Sequence, residues 1–150
     1  MNASINHQFF FPHPPELVWE YLTIPVLLEQ WLMKNNFEPV VGREFQFTTN
    51  PLPQFDFDGI FHCKVLDIVP LQKLSYSWKG GPGDGSISVD TLVVWTLQKK
   101  DRGTELLLNH SGFSKPQNLS ILNAMTEGWL KNIHKIAERI NDRKHDTSQP

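Results

Sequence analysis

Few side chains in this sequence are placed to do chemistry, and their spacing excludes more than it supports. His110 closes the run Leu106-Leu107-Leu108-Asn109-His110, where alternation sets it on one face with Leu106 and Leu108. An imidazole there could serve as an acid or base, or donate to a ligand carbonyl. No second catalytic group stands at a fixed spacing beside it, so the favoured reading is a histidine bonded to backbone or water. No catalytic residue is assigned. His62 and Cys63 are neighbours in a strand pattern and face opposite ways, so they cannot chelate one metal. With no His-x-x-x-His or Cys-x-x-Cys pair, the sequence predicts no metal site and no cofactor. Gly80-Gly81-Pro82-Gly83-Asp84-Gly85 lacks a Gly-Lys-Ser/Thr ending and opens no helix. It is a flexible turn rather than a phosphate loop.

What stands out instead is aromatic: 5 Trp, 10 Phe and 2 Tyr along 150 residues. Such side chains build either a bulky core or a lined cavity. The charge balance, Lys+Arg 14 against Asp+Glu 16, gives a net charge of −2 and argues against a nucleic-acid binder, which needs concentrated basic surface. Residues 1–60 carry only Lys34 and Arg43 against seven acidic residues, an asymmetry that permits a weak homodimer as well as a monomer. Phe9-Phe10-Phe11 is too short for a signal segment, and no run nears the ~20 apolar residues of a membrane span. A single cysteine suits a reducing compartment, so the expected location is cytoplasmic.

These residues must be held by elements the pattern makes legible. Residues 5–11 read as a strand closed by Pro12. Pro14-Pro15 opens a helix carrying Leu17, Val18, Tyr21 and Leu22 on one face, and Thr23 is the expected N-cap of a second short helix, residues 24–31. From Gly42 to His110 the period changes to two, with turn chemistry between the runs, which predicts an antiparallel meander. After Pro116, Leu122, Met125, Trp129, Ile133, Ile136 and Ile140 recur at three- and four-residue steps, the strongest helix signal in the chain. Lys131, Lys135, Arg139 and Arg143 lie opposite, and are read as a solvated face.

A sheet with one apolar face needs a cover, and the last helix offers a matching stripe. The expected fold is therefore α+β: a curved antiparallel sheet of six or seven strands wrapped around a long C-terminal helix, with two short helices after the first strand. It forms one domain, residues 1–141, followed by a polar tail, residues 142–150.

The same order of motifs resembles the START-like, birch-pollen-allergen-like superfamily (SRPBCC) with its helix-grip fold. It is most similar to small bacterial relatives of the C-terminal domain of the heat shock protein 90 ATPase activator. The matching stretches include Pro15-Glu16-Leu17-Val18-Trp19, Val41-Gly42-Arg43-Glu44-Phe45, Leu74-Ser75-Tyr76-Ser77-Trp78, His110-Ser111-Gly112-Phe113 and Gly128-Trp129. Gly42-Arg43 departs from the paired glycines common in relatives. The resemblance implies a cavity between sheet and long helix that takes apolar molecules. It also implies two alternatives: a co-chaperone-like module of the stress response with a chaperone partner, or a cyclase, dehydratase or hydrolase using His110.

From alternation, the expected cavity wall on the sheet is Phe45, Tyr76, Trp78, Val93 and Trp95, continued by Leu106, Leu108 and His110. Trp31 joins it from the second helix, and Met125, Trp129 and Ile133 from the last, with Leu130 as an alternative contact to Met125. The leading expectation is binding of a hydrophobic or amphipathic small molecule without covalent chemistry.

Overall fold

The alternating runs become five consecutive strands because each is joined to the next by a connection that returns the chain beside itself. They are β3 (Glu44–Thr48), β4 (Ile60–Val69), β5 (Lys73–Gly80), β6 (Val89–Lys100) and β7 (Gly103–Phe113), preceded by β1 (Ala3–Phe11) and the two-residue β2 (Lys34–Asn35). The computed structural model describes residues 3–113 and 118–147. All seven strands form one antiparallel sheet in the order β1-β7-β6-β5-β4-β3-β2. The distant pairing is β1 with β7, where Ile5 lies opposite His110 and Phe11 opposite Thr104. A register shift between Val65 and Asp67 interrupts the β4–β5 ladder; such irregularities bend and twist a sheet.

Two short helices follow β1: α1 (Pro15–Thr23) and α2 (Pro25–Trp31), each with proline in its first turn, where the missing N–H costs nothing. Thr23 is not the N-cap of α2. Its backbone already belongs to α1, and its hydroxyl donates back to Trp19 O at 2.8 Å, so Ile24 takes the capping position with no side-chain bond.

The C-terminal helix α3 spans Asn118–Thr147, so its backbone continues past residue 141; of the expected tail, residues 148–150 lie outside the described part. Ile121, Trp129, Ile133, Ile136 and Ile140 are its buried side chains, whereas Leu130 is 43% exposed and does not meet the sheet. One residue on from Trp129, it is rotated about 100° away from the stripe. Lys131 and Arg139 are exposed and Lys135 is half-buried. The Arg139 Nε–H donates to Gln30 O on α2, and the Arg143 side chain lies outside the described residues. The helix is pinned to the sheet edge by His7, whose Nε2 donates to Thr126 O at 2.9 Å, and by Phe9, edge-on to His134. No helix among the described residues is long and apolar enough to cross a membrane.

Candidate functional site

Register decides which aromatic side chains meet. Trp78 is opposite Thr91, Tyr76 opposite Val93, Leu74 opposite Trp95, and Trp95 opposite Leu108. Because these partners share the concave face, four indoles converge under α3. Trp31 stands edge-on to Trp95, Trp95 edge-on to Trp129, and Trp129 lies 5.3 Å from Trp78 between ring centroids. Three of the four have their N–H engaged: Trp31 to Tyr21 O, Trp95 to Tyr76 Oη, and Trp129 to His110 Nδ1. The indole N–H of Trp78 is the one buried side-chain polar atom with no partner among the described residues.

His110 is a hydrogen-bonded link in this core. Its Nδ1 accepts from Trp129 at 2.9 Å, which leaves the proton on Nε2; that N–H faces Thr91 Oγ1 at 2.7 Å, and the Thr91 hydroxyl donates onward to Trp78 O at 2.8 Å. Every hydrogen in the chain has an acceptor, so the neutral Nε2–H tautomer is specified. Burial pulls its pKa from 6.5 down to about 3. His110 is fully buried and lines no described pocket, which removes the observation that would have supported acid–base chemistry at this residue.

Most of the expected wall is solid core. Trp31, Val93, Trp95, Leu106 and Ile133 are each at most 2% exposed and line no described pocket, and Leu108, equally buried, borders only the third pocket described below. Phe45 and Tyr76 pack with Phe37 and Phe47 toward the β3 side, with ring centroids 5.0 to 6.5 Å apart. Burial pushes the Tyr76 phenol upward despite the indole N–H it accepts.

The palm opens at one end. A pocket of about 280 Å³ lies between the N-terminal half of α3, the end of α2 and the loop joining β3 to β4. Of the twelve expected residues, Trp78, Met125 and Trp129 line it. Phe57, Phe61, Val89 and Ile121 complete a buried floor, while Leu52 and Ala124 are exposed at the rim. Among the described residues, none that lines it carries a charge. The rim loop is held by Gly59, at φ +97°, where an added Cβ would stand 2.5 Å from Thr49 O. A second pocket, on the outer face of the sheet, includes Glu44, His62, Lys64 and Lys79, and a third includes Asn6, Gln8 and Asn109. Among the described residues no group of three or more His, Cys, Asp or Glu is arranged to hold a metal.

Phe61 was findable in the sequence, since it stands two residues before Cys63 in the same strand phase. Leu32, Met33, Thr49, Leu52 and Phe55 were not, because they sit in a helix end and irregular loop with no period to read.

A bent antiparallel sheet closed by a long C-terminal helix, with two short helices after the first strand, defines a helix-grip protein of the SRPBCC type. The chain belongs to the family described as Activator of Hsp90 ATPase homolog 1-like protein, whose model matches residues 12–141. Among solved structures it is similar to protein MLL2253 from Mesorhizobium loti, at 31% identity and TM-score 0.83, covering 93% of this chain and 98% of that one. The Aha1 dimer from Colwellia psychrerythraea shares the fold at 18% identity and TM-score 0.73, covering 91% and 94%. Protein BH1534 from Bacillus halodurans shares it at 23% identity and TM-score 0.71, covering 91% and 95%. No curated protein matches the sequence.

Proposed function

We propose that the protein binds a small, largely apolar molecule in the pocket beneath the first half of α3, without covalent chemistry. The observation that carries this reading is a pocket of about 280 Å³ with an aromatic floor and, among the described residues, no charged lining side chain. That volume is near the lower end for small-molecule sites, roughly 300–1,000 Å³. Met125 adds an adaptable side chain at its edge. Gly128 supplies the test: it lines the pocket, and an added Cβ there meets nothing within 4 Å. Gly128→Leu fills the space from a helix position that favours leucine over glycine. A hydrophobic panel should raise the melting temperature of the wild type, as any ligand of the native state does, and leave the Gly128→Leu variant unmoved. No shift in the wild type defeats the reading.

A second reading, as a chaperone partner in a stress response, is favoured by the description of the family, which names an Hsp90 ATPase activator. Pull-down with the chaperone followed by an ATPase assay tests it, and absence of stimulation at saturating protein removes it. The single cysteine is consistent with a cytoplasmic location, which fractionation checks.

A further inference from the structure

We infer that the ligand is a neutral molecule bearing a hydrogen-bond acceptor, such as a ketone, ester or amide carbonyl, and that this acceptor takes the indole N–H of Trp78. The inference rests on the pocket reading above and specifies the chemistry of its occupant.

Trp78 is 2% exposed, yet among the described residues its Nε1 has no hydrogen-bond partner. A buried N–H left unmatched is costly, which is why native cores rarely keep one. The neighbouring indoles show the contrast, for Trp31, Trp95 and Trp129 lie in the same cluster and each donates to an acceptor of this chain. Trp78 also differs from Trp31 and Trp95 in bordering the pocket. The rings packed around it are Phe61 at 4.3 Å, Phe47 at 5.2 Å, Trp129 at 5.3 Å, His110 at 5.6 Å and Tyr76 at 6.4 Å between centroids. None of these accepts its N–H: the phenylalanines have no lone pair, both His110 nitrogens are engaged with Trp129 and Thr91, and the Tyr76 hydroxyl oxygen takes the N–H of Trp95. We therefore assign the acceptor to the occupant, for which the indole must turn its N–H edge toward the pocket it already borders.

Charge narrows the class further. Among the described residues the lining holds no lysine, arginine or histidine, so a carboxylate would be stripped of water with only neutral donors in return, the Trp78 indole and the side chains of Thr49, Ser88 and Asn132. A carbonyl loses far less on entry and satisfies the same N–H.

Three probes of matched shape test this by calorimetry: 2-acetylnaphthalene, 2-ethylnaphthalene and 2-naphthoate. The ketone should bind at least about tenfold more tightly than the carboxylate, and Trp78→Phe should weaken the ketone by about tenfold more than it weakens the hydrocarbon. If that variant does not fold, the wild type still decides, since the assigned Trp78 indole proton should move downfield in NMR spectra with the ketone and not with the hydrocarbon. Ketone binding that is insensitive to Trp78→Phe, an indole proton that does not respond, or preference for the naphthoate overturns the inference while the pocket stands. Failure of all three probes to bind overturns the pocket reading, and the inference with it.

Discussion

The indole of Trp129 on α3 and the imidazole of His110 on β7 are joined by a 2.9 Å hydrogen bond, and this contact fixes the proton inventory of the core. An imidazolium would point a second N–H at the indole N–H, donor against donor. The helix is thereby tied to the sheet by a bond that only neutral histidine can make.

Stability should accordingly fall with acid through His110. The unfolded residue titrates near its ordinary 6.5, whereas the folded one does so at about 3. Above 6.5 both states are neutral and the residue adds no pH dependence. Below it the unfolded chain takes a proton the native state refuses, so stability drops by about 1.4 kcal/mol per pH unit until the folded pKa is passed. Urea unfolding at about pH 7 and pH 5 should show a loss of about 2 kcal/mol from this residue. The loss should disappear in His110→Gln; an equal pH dependence in that variant would refute the assignment.

Thr91→Val removes the acceptor of the His110 Nε2–H and the donor to Trp78 O in a single step. The change in volume is small, so the cost is that of two stranded polar groups, about 1–3 kcal/mol. Denaturant midpoints check it, and a change below about 0.5 kcal/mol would mean the network is not closed through Thr91.

Cys63 is 4% exposed, and burial pushes its thiol well above the usual range. The thiolate is the reactive form. A disulfide reagent such as DTNB should leave the native protein unlabelled and react with one equivalent after unfolding; rapid labelling of the folded protein would contradict this.

Gly59→Ala should cost about 1–3 kcal/mol, because φ +97° disfavours any side chain and the new methyl would press on Thr49 O. Relief of that contact must displace the loop carrying Thr49 and Leu52, so probe binding at the pocket should weaken in parallel. Thermal melts and probe titrations of the variant measure both.

Much of this architecture was legible in the chain. Alternation in Leu74-Ser75-Tyr76-Ser77-Trp78 and the stripe from Trp129 to Ile140 located β5 and α3, because a period reports which side chains share a face. Thr23 misled because the same hydroxyl that caps one helix can close the previous one, and the choice depends on where the backbone turns. The pocket was legible only in small part: Trp78, Met125 and Trp129 were expected, whereas Leu32, Met33 and the β3–β4 loop were not.

By itself, then, the sequence determined the order of elements, the inward faces and the absence of metal-ligand spacing, since these follow from local periods and residue types. Only the tertiary structure decided that the centre of the grip is filled and one end open, that His110 is a bonded strut, and that one indole of four lacks a partner among the described residues. Those facts depend on register between strands distant in sequence and on the angle at which α3 crosses them, and neither quantity is written in any local period.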